Sequence, residues 1–163
     1  KFTKKYKKII KKILSSLKMK NNVFVHRDFH VSNLMFFKNQ IGVIDSQDAL
    51  IGNKAYDLSS LIDDVRLETS TSFKKKIYNF YVKDQKKHEI DKFKNDFEIL
   101  SVLRNLKIIG IFTRLAVRDK KKSYMKLIPY AWRLIALRIN GNEVFQELKN
   151  LLNESFKKKL NEN

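Results

Sequence analysis

The sequence has no cysteine, one proline, one tryptophan and four glycines among its 163 residues. Without cysteine it can build neither a disulfide framework nor a thiolate metal site, and it suits a reducing compartment. Four scattered glycines leave no glycine-rich phosphate loop. No run approaches the roughly 18 uncharged apolar residues of a membrane span, so no membrane partner is expected. Lys4, Lys5, Lys7, Lys8, Lys11 and Lys12 interrupt the apolar residues of the N-terminus, which excludes a secretory signal. A cytoplasmic location is the resulting expectation. The chain opens on Lys1 rather than Met, as a segment of a longer protein or a processed terminus would.

Acidic residues are also scarce, 17 against 35 basic ones, giving a net charge of +18. Such a charge can attract nucleic acid, anionic lipid or phosphorylated ligands. However, 28 of the 35 basic residues are lysine, and asparagine, isoleucine and phenylalanine are abundant, a set that AT-rich codons encode. Nucleic-acid readers favour arginine, whose planar fork matches phosphate and guanine. The charge is therefore read as compositional drift on solvated helix faces, with nucleic acid the disfavoured partner.

The length suits one domain with a hydrophobic core. Residues 1–20 place apolar side chains at three- and four-residue steps, predicting an amphipathic helix that Asn21 and Asn22 end. Val23, Phe24 and Val25 predict a short buried strand. Residues 34–37 and 41–44 are apolar runs separated by Lys38, Asn39 and Gln40, the pattern of a β-hairpin. A turn at Gly52 and Asn53 precedes predicted helices over 55–66, 72–86 and 90–117. Residues 118–123 form a basic turn. A further helix spans 124–139, in which Pro129 marks either a kink or the true start. A last helix runs over 143–160. The predicted class is α+β, mainly α.

The chemistry concentrates in His26-Arg27-Asp28-Phe29-His30-Val31-Ser32-Asn33, followed after the hairpin by Ile41-Gly42-Val43-Ile44-Asp45. This is His-x-Asp-x-x-x-x-Asn, then a hairpin, then an apolar run ending in aspartate, the catalytic-loop order of protein-kinase-like phosphotransferases. Phosphoryl transfer needs an acceptor hydroxyl held in line with the γ-phosphate and a group to take its proton, which Asp28 can provide. Phosphate charge needs a hard cation with oxygen ligands, which Asn33 and Asp45 can supply to Mg²⁺. The competing structural account is that Asp28 and Asn33 merely cap a turn.

The loop and the segments Ile44-Asp45-Ser46-Gln47-Asp48-Ala49, Tyr56-Asp57-Leu58-Ser59-Ser60-Leu61 and Arg104-Asn105-Leu106-Lys107-Ile108-Ile109-Gly110-Ile111-Phe112-Thr113-Arg114-Leu115 resemble the aminoglycoside phosphotransferase and choline kinase superfamily. Within it they are most similar to bacterial kinases that phosphorylate the anomeric hydroxyl of N-acetylmuramate and N-acetylglucosamine in cell-wall recycling. The resemblance covers about residues 20–140. It implies that residues 1–163 form a single lobe, the protein-kinase-like C-terminal one, with a small β-hairpin at the catalytic loop. It implies ATP as co-substrate, Mg²⁺ as cofactor and a small-molecule acceptor, a sugar, as partner. Asp28 would be the catalytic base, Asn33 and Asp45 the metal ligands and His26 a brace of the catalytic loop. Asp57 would be a buried aspartate holding that loop's backbone. Arg27, His30, Asp48 and Arg114 are the possible substrate contacts.

Two departures accompany the resemblance. Ser46 stands where relatives often carry a large residue after the metal aspartate. The family's N-terminal lobe, with its phosphate loop and strand lysine, has no counterpart in these residues. The segment alone is therefore expected to be inactive or nearly so.

Other readings stay open at this stage. The acceptor could be choline, an aminoglycoside or homoserine. The chain could be a basic nucleic-acid-binding module with a vestigial site. The alternation of His26, Asp28 and His30 could mark a hydrolytic metal site. Arg114 and Arg118 sit where a helix could meet an anionic sugar, against the plainer account of a solvated face. Asp48 is balanced between substrate contact and turn cap. Tyr124 and Trp132 are read as packing residues.

Overall fold

The structure, a computed structural model, describes residues 2–156. Six helices and two small antiparallel sheets make it mainly helical, in keeping with the α+β expectation.

Helix α1 (Phe2–Leu14) buries Ile9 and Ile13 and leaves its lysines in solvent. It stops six residues earlier than the periodicity suggests. The Ser15 and Ser16 hydroxyls both donate to the Lys12 carbonyl, which terminates it. Asp96 then fixes the exit. Its buried carboxylate accepts the backbone N–H of Lys18 at 2.8 Å and of Met19 at 2.9 Å, and the Asn53 side-chain amide at 2.6 Å.

Strand β1 (Asn21–Val25) follows and leads into the loop of residues 26–33. Only Val25 is buried and Phe24 is 65% exposed, so the predicted buried strand is an edge-like one. Its partner is β4 (Leu50–Asn53), antiparallel, pairing Val25 with Leu50 and Val23 with Gly52. Gly52 and Asn53 thus end a strand rather than form the predicted turn. Between them lies the hairpin β2 (Leu34–Phe37) and β3 (Gln40–Val43). Lys38 and Asn39 form its two-residue loop with φ of 47° and 60°, the left-handed pair that a twisted hairpin demands.

Helix α2 (Ala55–Ile62) stops four residues before the expected end, where Asp63 and Asp64 turn the chain. Helix α3 (Thr71–Val82) is capped by Ser70, whose hydroxyl accepts the Phe73 N–H. Helix α4 (Lys87–Val117) is the spine, 31 residues and about 46 Å long at 1.5 Å per residue. Helix α5 (Ile128–Ile139) begins next to Pro129, so that proline marks a start and not a kink. Residues 122–127 form a 3-10 segment before it, so the helix expected from 124 starts later. Helix α6 (Gln146–Phe156) carries the described part of the last predicted helix; residues 157–160 lie outside the described residues.

The core lies along α4. One cluster joins Ile13, Ile99, Ile135, Ile139 and Leu148. A second joins Leu58, Ile62, Phe93 and Phe97, and a third Val65, Ile108, Phe112 and Leu134. Tyr124 and Trp132 pack against these clusters, as read from their spacing. A buried polar knot ties four helices together. Asp63 accepts two bonds from Arg138 at 2.9 and 3.1 Å and one from the Ser101 hydroxyl at 2.6 Å, and lies 3.6 Å from Lys74.

Candidate functional site

Three backbone devices converge where β1 and β3 end. The first is Asp57, in the opening turn of α2. Its carboxylate accepts the His26 N–H at 2.7 Å and the Arg27 N–H at 3.0 Å. It is half-buried rather than buried. The second is His26 itself, almost fully buried, whose Nε2 lies 3.0 Å from the Ile44 carbonyl and couples the loop to the end of β3. The third is the Ile44 N–H, which donates to the Asn33 carbonyl at 3.1 Å. Arg27 and Asp45 both adopt the left-handed region, with φ of 73° and 71°. Such backbone costs a non-glycine residue about 1 kcal/mol or more and persists only where its surroundings hold it. At Arg27 the Asp57 carboxylate does so.

These devices leave a defined set of free groups. Asp28 is half-buried, and its carboxylate makes no hydrogen bond or ion pair among the described residues. Its carbonyl accepts the Asn33 amide at 2.9 Å. The same Asn33 amide nitrogen lies 3.5 Å from Asp45 Oδ2, while Gln47 donates to Asp45 Oδ1 at 2.7 Å. Asn33 Oδ1 accepts no hydrogen bond among the described residues. Asn33 and Asp45 thus meet through the amide nitrogen, with the free Oδ1 on the same amide group. Magnesium usually takes one or two protein oxygens and completes its shell with phosphates and water, so this donor set fits it.

The remaining candidates separate. Arg27 donates to the Asp48 carbonyl at 3.1 Å, so these two brace one another, and Asp48 points an exposed side chain outward. His30 is buried with Nδ1 unpartnered. Burial, then Arg66, depresses its pKa below the ordinary histidine value. Arg114 is exposed on α4, ten residues beyond Arg104 and thus about 15 Å along the axis. Arg118 pairs with Asp119 at 2.6 and 2.9 Å, an exposed pair on a solvated face. Among the described residues no three His, Asp or Glu side chains gather closely enough to hold a metal, so the alternation of His26, Asp28 and His30 does not become a cluster.

A sequence profile described as the phosphotransferase enzyme family (APH) matches residues 4–90, more than half the chain. The chain belongs to that family. Curated relatives agree. The N-acetylmuramate/N-acetylglucosamine kinase of Neisseria meningitidis serogroup B is 39% identical over 123 residues, covering 72% of this chain and 37% of the relative. The kinase of the same name from Caulobacter vibrioides is 33% identical over 115 residues, covering 68% and 32%. That of Pseudomonas aeruginosa is 31% identical over 154 residues, covering 91% and 46%. The chain therefore spans a third to a half of the length of these phosphotransferase relatives.

Sequence reasoning missed several charged groups beside the loop. Asp64, Arg66 and Arg104 face His30 electrostatically, and Arg104 also feels Asp28. One signal was present. Phe97, Ser101, Arg104 and Ile108 share one stripe of α4, so a charge stands on a buried face.

Proposed function

We propose that this chain is the metal- and acceptor-side lobe of an ATP-dependent kinase that phosphorylates the anomeric hydroxyl of an N-acetylated amino sugar. The observation that carries the reading is the juxtaposition of a free Asp28 carboxylate with the Asn33–Asp45 pair, both set by one braced loop. Family membership supports phosphoryl transfer, and the names of the relatives support the sugar.

In this mechanism Asp28 accepts a hydrogen bond from the acceptor hydroxyl and orients its oxygen toward the γ-phosphorus of ATP. As the new O–P bond forms and the bond to the ADP oxygen breaks, the hydroxyl proton passes to the Asp28 carboxylate. Mg²⁺ held by Asn33 and Asp45 would neutralise charge on the phosphates. Asp57 and His26 hold the loop so that Asp28 and Asn33 stay in place.

The remainder of the nucleotide clamp would come from a second lobe. The two small sheets present Phe24, Phe36, Phe37, Ile41 and Ile51 to solvent, Phe36 at 74% and Phe37 at 70% exposure. Apolar surface exposed to this extent marks a region that another body covers. The test is a panel of sugars, choline and an aminoglycoside offered with labelled ATP to the full-length protein. Label should transfer to N-acetylglucosamine or N-acetylmuramate. Transfer to choline or the aminoglycoside alone would refute the sugar assignment.

A further inference from the structure

Arg104 is buried, 6% exposed, yet its guanidinium has neither a hydrogen bond nor an ion pair among the described residues, and Nη1 is fully enclosed. Burying a charge without a partner is among the costliest arrangements in a protein. Other arginines differ. Arg66 meets Asp64, Arg118 meets Asp119, Arg133 meets Glu68 and Arg138 meets Asp63. Arg114 makes no ion pair among the described residues but is exposed, where water solvates it.

The place of Arg104 gives the missing partner a location. Ser101, one turn earlier on α4, donates to Asp63 at 2.6 Å. The next turn of the same face therefore lies alongside Asp64 and the segment after α2. Asp64 is 1% exposed; its Oδ1 accepts the Arg66 N–H at 3.1 Å and the Arg66 guanidinium at 3.2 Å, and its Oδ2 has no partner. His30, two residues after Asp28 and 7% exposed, has an unpartnered Nδ1. Burial lowers the Arg104 pKa, and the nearby Tyr56, Asp64 and Asp28 oppose that shift, so all of these share one electrostatic neighbourhood.

We infer that Arg104 is a binding residue for a carboxylate on the acceptor, with His30 as a second contact. An unsatisfied guanidinium suits a planar anion. The sugar-acid form of the acceptor presents such a carboxylate. The subsite depends on Asp28 being the residue that positions the acceptor. It moves the anion-binding role from Arg114 to Arg104.

The experiment compares Arg104→Met and Arg104→Lys with wild type in the full-length enzyme, using N-acetylmuramate and N-acetylglucosamine, which differ in the lactyl carboxylate. For Arg104→Met, KM for N-acetylmuramate should rise about tenfold or more, while N-acetylglucosamine stays within about threefold. Arg104→Lys should recover part of the loss, because charge is kept and the fork is not. The Tm of Arg104→Met should be unchanged or higher, since an unpaired buried charge is removed. Equal loss with both sugars, or a lowered Tm with uniform loss, would make Arg104 a structural strut closing on Asp64 and overturn the subsite. If wild type phosphorylates neither sugar, the sugar assignment has failed, and the subsite is read by D-lactate alone. D-lactate should raise the Tm of wild type but not of Arg104→Met; identical behaviour would overturn it.

Discussion

Asp57 shows how one side chain sets a site it need not touch. Two backbone N–H groups of the 26–33 loop end on its carboxylate, and one of them belongs to Arg27 in left-handed backbone. Asp57→Asn keeps the shape but offers one acceptor oxygen for two donors. Losing one charge-assisted bond should cost about 2 kcal/mol of stability. Loosening the loop should lower kcat more than it raises KM for ATP. Chemical denaturation and steady-state kinetics on the full-length protein read both effects; unchanged stability and turnover would remove Asp57 from its bracing role. At this scale the sequence was legible where the chemistry is local. His26, Asp28, Asn33 and Asp45 stood in one pattern, and the structure sets Asn33 beside Asp45. Asp64, Arg66 and Arg104 were not legible as a group, because Arg104 shares only an electrostatic neighbourhood with the other two, from an element far off in the chain.

Among the elements, the polar knot at the end of α2 decides how the helices lock. Asp63 is fully buried and receives Arg138 from α5, Ser101 from α4 and the charge of Lys74 from α3. Asp63→Ala would strand two cations at once, one of them, Lys74, itself buried, at a cost of about 3–5 kcal/mol. A urea melt checks this, and a loss well under about 1 kcal/mol would mean that water already serves the knot. The helices were readable because apolar residues repeat at helical steps, and Pro129 could be placed once the 3-10 segment before it was seen. Their ends were less so. Helix α1 stops at serine hydroxyls and α2 stops where Asp63 turns inward, and both depend on partners rather than periodicity. The pairing of β1 with β4 went unread because the partner strand lies some twenty-five residues away and carries a glycine that suggested a turn. A local pattern finds a two-residue hairpin and passes over a long-range ladder.

Across the whole molecule, the +18 charge and the exposed apolar sheets make different statements. The lysines of α1 sit on a solvated face, consistent with drift. The aromatic and aliphatic residues of the two sheets instead lie exposed on strands that flank the 26–33 loop, a surface we propose a second lobe covers. No helix among the described residues is long and apolar enough to cross a membrane. The central claim is that Asp28 handles the acceptor proton while Asn33 and Asp45 serve the phosphates. The most direct test measures sugar phosphorylation and ATP binding side by side for the full-length protein, its Asp28→Asn variant and residues 1–163 alone. Turnover should fall by roughly 10²–10⁴-fold in Asp28→Asn with ATP affinity nearly unchanged, and should be undetectable for residues 1–163. Normal turnover by Asp28→Asn would contradict the account.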